Sequence, residues 1–182
     1  SEVDIRDAAL NGLSTNSQVY PNGWYDPPPG GVSILWGTKP FTRLQYKSLR
    51  DEKNWPRSDV RFDSETVGSV YVSSVECKTN MIGDVGLTIY NGNSEEIKRH
   101  IRECHDAIRA VAEHADVGQS YSDLYAYAME YFRSKSLKIG WMKTKHDPMQ
   151  LNLGHTVPGS FGDVDFGDTF EKIRETIQTK RI

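Results

Sequence analysis

Ile97, Ile101, Cys104, Ile108, Val111 and Ala115 recur at steps of three and four. Such spacing gathers apolar groups on one side of an α-helix, because 3.6 residues complete a turn. It predicts a long amphipathic helix over 94–115. Asn93 stands three residues before Glu96, a capping-box spacing that marks the start, and Gly118 breaks the run. Ser120 and Asp123 repeat the cap spacing. Leu124, Tyr125, Ala128, Tyr131 and Phe132 then make the apolar side of a second helix. A helix pair with apolar stripes needs other elements to cover it, and the preceding chain is not helical in pattern.

Val67–Val75 and Val85–Tyr90 are rich in β-branched and aromatic residues and read as strands. Asn80–Gly83 turns one into the other, giving an antiparallel hairpin with an irregular connection. Val32–Trp36 reads as a short buried strand. Ser1–Leu13 reads as an opening helix with Val3, Ile5, Ala8 and Ala9 on its apolar side and Gly12 at its end. Between them, Ser14–Gly31 is irregular and contains Gly23-Trp24-Tyr25-Asp26-Pro27-Pro28-Pro29-Gly30-Gly31. Three prolines remove three backbone donors and fix φ, so a stiff extended or polyproline segment is expected. Trp24 and Tyr25 point to a packed loop at a pocket rim rather than to a linker. Residues 41–66 are polar, include Trp55-Pro56, and carry no periodic signal. Past the helix pair come a short apolar segment, Leu151–Leu153, and a helical stretch near Asp168–Thr179. The mixture is α+β.

A chain of 182 residues is read as one domain, 1–182. Its net charge of −3 and scattered basic residues do not indicate a nucleic-acid surface. No stretch approaches the ~20 apolar residues of a membrane span. The first residues lack the basic and apolar regions of a secretion signal. Cys77 and Cys104 are too few for a disulfide framework and too far apart for a Cys-x-x-Cys zinc site. Reduced thiols in a cytoplasmic protein are expected.

Two segments carry candidate chemistry: Ile82-Gly83-Asp84-Val85-Gly86-Leu87-Thr88 and Asn152-Leu153-Gly154-His155-Thr156-Val157-Pro158-Gly159. Taken singly, Asp84 reads as a turn residue and His155 as a hydrogen-bonded packing residue. Taken in order, they resemble the pita-bread metallopeptidases, the group that includes methionine aminopeptidase, aminopeptidase P, prolidase and creatinase. In that group a Gly-Asp leads into a strand bearing a threonine. A long helix, a break, a second helix and then a Gly-His follow. Here Gly83-Asp84 precedes Thr88, the break lies at Val117–Ser120, and Gly154-His155 comes after the second helix. The resemblance covers about residues 67–160.

The resemblance implies an α+β pita-bread fold, an antiparallel curved sheet with helices on its outer face. It also implies a ligand set of two aspartates, one histidine and two glutamates. These hold two divalent cations, which need bridging carboxylates to offset their repulsion and which lower the pKa of a shared water. Asp84 and His155 match two of the metal ligands, and His155 is also the candidate catalytic histidine. The first aspartate falls on Ser73, a neutral hydroxyl. Glu76 is nearby, but strand alternation puts it on the other face. The two glutamates would come from strands beyond Ile182, so the fold is expected to be C-terminally incomplete, with Asp163, Asp165 and Asp168 read as a solvated turn. The substrate-contacting histidine that the family places before the first aspartate has no counterpart, since the first histidine is His100. His100, His105 and His114 are read as exposed positions on the long helix.

By resemblance the chain is therefore a metallopeptidase-like hydrolase, of aminopeptidase or prolidase type, with an incomplete two-metal site. The cation would be manganese, cobalt or zinc. A metal-free creatinase-like hydrolase, with His155 moving the proton, is one alternative. A non-enzymatic peptide- or protein-binding module is another, with Trp24 and Tyr25 contacting the ligand. The expected partners are a peptide or small-molecule substrate, and a second copy or another chain that completes the site. No nucleic acid or membrane is expected. An open sheet edge left by missing strands would favour self-association.

Overall fold

The computed structural model describes residues 1–46 and 48–138. They fall into two compact units, Ser1–Ile97 and the described residues from Lys98 onward. In the first unit α1 (Glu2–Thr15) precedes three strands, β1 (Val32–Gly37), β2 (Thr66–Val72) and β3 (Val85–Asn91). Next along the chain are α2 (Glu95–His114) and α3 (Tyr121–Ser134). The α+β class and the antiparallel hairpin are as the sequence predicts.

The strands form one sheet in the order β1-β2-β3, antiparallel throughout. Ile34 pairs with Val70 and Trp36 with Gly68, while Gly68 pairs on its other side with Ile89. Strand alternation therefore gathers Val32, Ile34, Trp36, Val70, Val72 and Ile89 on one face. That face is the core. Leu13, Ala9 and Leu10 of α1 pack on it, with Val19, Val60 and Phe62. The Trp36 and Phe62 rings meet at 4.7 Å. The opposite face carries Ser69, Tyr71 and Thr88 and holds the site described below.

α1 opens on a capping box in which Ser1 and Asp4 bond reciprocally. It runs past Gly12 to Thr15, because Leu13 is buried in the core and the Ser14 and Thr15 hydroxyls bond back to Asn11 O. Its inward side is Glu2, Ala9, Leu10 and Leu13, whereas Ile5 and Ala8 face out. Glu2 is wholly buried and ties α1 to β1 through Trp36 N at 2.6 Å. α2 starts one residue later than the sequence suggests: the Ser94 hydroxyl, not Asn93, accepts from Ile97 N. Asn93 N donates instead to Glu65.

In the second unit, Ser120 Oγ accepts from Asp123 N at 3.1 Å and starts α3 where predicted. On α2 the stripe is partly shifted. Ala107 is buried and Ile108 is 67 % exposed, so Ile108 lies off the packed side. His114 is exposed, as expected, and stacks on Tyr127 at 3.6 Å. Cys77 and Cys104 are free thiols. Among the described residues, no helix is long and apolar enough to cross a membrane. The predicted segments Leu151–Leu153 and Asp168–Thr179 lie outside the described residues.

Candidate functional site

The hairpin register sets the site. Val72 pairs with Val85, and an isolated bridge between Val75 and Ile82 continues the same register toward the turn. Ser73 and Asp84 thus stand opposite each other, on the face that also carries Tyr71. The turn itself is closed by Glu76 N donating to Met81 O at 2.8 Å. Asn80 takes a left-handed conformation there, φ 55°, which asparagine tolerates well. The Glu76 carboxylate accepts from Lys78 N, Thr79 N and the Thr79 hydroxyl, so it belongs to the turn and not to the site.

Ser73 is completely buried. Its hydroxyl donates to Gly31 O at 2.9 Å and accepts from Tyr25 N at 3.1 Å. Its backbone is engaged as well, with Ser73 N on Gly31 O and Trp24 N on Ser73 O. The proline-rich loop is packed, as expected, but it does not run extended. It folds back so that Gly23 N donates to Gly30 O at 2.8 Å. A Cβ at Gly23 would come within 2.3 Å of Ser73 Oγ, and one at Gly31 within 2.4 Å. Gly31 also has φ +69°, so glycine is required there on both counts.

The loop delivers Trp24 and Tyr25 to the strand pair. Trp24 Nε1 donates to Gly83 O at 2.8 Å, beside Asp84. Trp24 meets Tyr25 edge-on at 5.6 Å, and Tyr25 meets Tyr71 edge-on at 5.8 Å. Tyr71 lies across from Gly86, with the Asp84 carboxylate as its diagonal neighbour. Burial, and after it the Asp84 carboxylate, holds the Tyr71 phenol above its usual range. At the other end Arg50 stacks over Tyr25, 4.1 Å from the ring centroid, and donates to Asp26 O. A row in contact order runs Arg50, Tyr25, Tyr71, Asp84, with a cation at one end and a carboxylate at the other.

The three predicted residues within reach of the structure, Trp24, Tyr25 and Asp84, are therefore brought together. His155 lies outside the described residues. Tyr71 and Arg50 were not singled out by the sequence. Tyr71 had a usable signal, since it shares strand parity with Ser73. Arg50 sits in the aperiodic stretch 41–66 and had none.

Two adjacent cations need two carboxylates here, and the strand pair supplies Asp84 facing a hydroxyl. Among the described residues, no group of three His, Cys, Asp or Glu side chains is placed to hold a metal ion. The described residues do not fit a two-metal centre.

Residues 58–177 match the family profile described as metallopeptidase family M24. The chain belongs to metallopeptidase family M24. Membership implies the pita-bread fold, with which the α+β composition and the antiparallel sheet agree. M24 proteins usually bind divalent metals. Comparisons with curated proteins and with solved structures gave no match.

Proposed function

We propose that this chain is a peptide-binding, metallopeptidase-like member of M24 whose two-metal hydrolytic centre is not assembled. The observation that carries the reading is the cross-strand pair. Where two carboxylates would share two cations, Asp84 faces the enclosed hydroxyl of Ser73. Asp84 instead neighbours Tyr71, which is joined through Tyr25 to Arg50. A short peptide suits such a row: its amino group meets Asp84, its carboxylate meets Arg50, and its side chains lie on the rings. Manganese, cobalt and zinc are the cations whose binding decides the matter.

Calorimetry on the purified chain tests this. The expected result is no two-equivalent uptake of manganese, cobalt or zinc, with measurable binding of a tripeptide that has both ends free. N-acetylation of the peptide and Asp84→Asn are each expected to weaken binding about tenfold or more, the cost of one charge-assisted hydrogen bond. Two cations bound per chain, with metal-dependent release of an amino acid from the peptide, would overturn the proposal.

A further inference from the structure

We infer that Ser73 is the anchor of the Gly23–Gly31 loop, so that a carboxylate placed there does not create a metal site. This goes beyond the proposed function and holds whether or not a peptide binds. Three observations support it.

The Ser73 hydroxyl is already committed in both directions. Its hydrogen goes to Gly31 O, and a lone pair takes the Tyr25 N–H. A carboxylate has no hydrogen to give Gly31 O, and two oxygens would face each other in a buried place. Space is the second point. Gly23 and Gly31 close on Ser73 Oγ so tightly that even their own missing Cβ atoms would lie 2.3 and 2.4 Å from it. The extra atoms of an aspartate at 73 have nowhere to go unless the loop lifts. The third point is that the loop depends on this residue along its length. Tyr25 N bonds its hydroxyl, Trp24 N bonds its carbonyl, and its own N–H and O–H both reach Gly31. One residue of β2's continuation thus holds both ends of the loop that presents Trp24 and Tyr25.

The anchor makes a prediction that a vestigial ligand position would not. Ser73→Ala removes only the hydroxyl. It should leave the circular dichroism spectrum unchanged and release the loop. Chymotrypsin cleavage after Trp24 or Tyr25, mapped by mass spectrometry, should become about tenfold faster, as expected when local opening becomes easier by about one buried hydrogen bond. Ser73→Asp should also speed that cleavage, and calorimetry should show no more manganese, cobalt or zinc bound than by the parent. An unchanged cleavage rate in Ser73→Ala would overturn the anchor. So would Ser73→Asp binding two cations where the parent binds none. Two-cation binding by the parent chain would sink the proposed function instead, so the two ideas fail separately.

Discussion

Glu2 has no exposed surface, and its two oxygens accept four donors. Trp36 N and Arg57 N come from the backbone, at 2.6 and 2.9 Å. Arg43 adds Nε at 3.1 Å and a second nitrogen at 2.5 Å. Arg43 in turn donates to Lys53 O and Trp55 O, which orders the aperiodic stretch before β2. Removing the carboxylate strands a guanidinium and two amides. Glu2→Ala is therefore expected to cost about 3–5 kcal/mol in urea unfolding, as for breaking a buried ion pair. Glu2→Gln, which keeps the shape and two acceptor sites, should lose less. Equal losses would mean that the packing of α1, not the charge, is what matters. Glu76 gives a pH signature. The Thr79 hydroxyl and N–H, with Lys78 N, hold its carboxyl below the ordinary 4.5. A depressed folded value means that its contribution is fully present above pH 4.5 and is lost as pH falls through the lower, folded value. Parent and Glu76→Gln should differ in thermal midpoint at neutral pH and converge in acid.

Elements follow the sequence where their signals are local. Ser120 caps α3 because its hydroxyl needs only the amide three residues on, and Ser120→Ala should cost about 1 kcal/mol of stability in urea unfolding. The strands fall near their predicted ranges because β-branched and aromatic runs suit a pleated, half-buried surface. Signals fail where a distant partner decides. Gly12 does not end α1, because burying Leu13 outweighs the roughly 1 kcal/mol that glycine costs inside a helix. Gly68 looks like a weak spot in a strand, yet Trp36 lies across it. A Cβ there would sit 2.3 Å from the Trp36 ring. Gly68→Ala should cost about 1–3 kcal/mol through overpacking, in contrast to the usual gain from filling a glycine. A neutral or stabilising result would mean that the ring moves freely.

At the scale of the whole molecule, a ligand that binds only the folded chain raises its stability, by about 2.7 kcal/mol at one hundred times Kd. A two-metal member of the family should therefore melt several degrees higher with its cation. This chain is expected to show the same midpoint with manganese, cobalt or zinc and with a chelator, as scanning calorimetry would read. A metal-dependent rise would return the chain to the metal-binding branch of M24.

The sequence alone determined the order of elements from α1 to α3, the hairpin, and the family. Each of these rests on local periodicity, caps and short motifs, and the profile match over residues 58–177 bears out the family. The resemblance put an expected aspartate ligand at Ser73, and the hairpin register places that residue opposite Asp84. Only the tertiary structure decided what Ser73 does. Its partners, Gly23, Tyr25 and Gly31, lie more than forty residues away in the chain. Glu2 and Arg43 are likewise more than forty residues apart, and Arg50 and Tyr25 are also distant in sequence. Such pairings depend on where a folded loop returns to the sheet, and no short-range pattern of side chains encodes that distance.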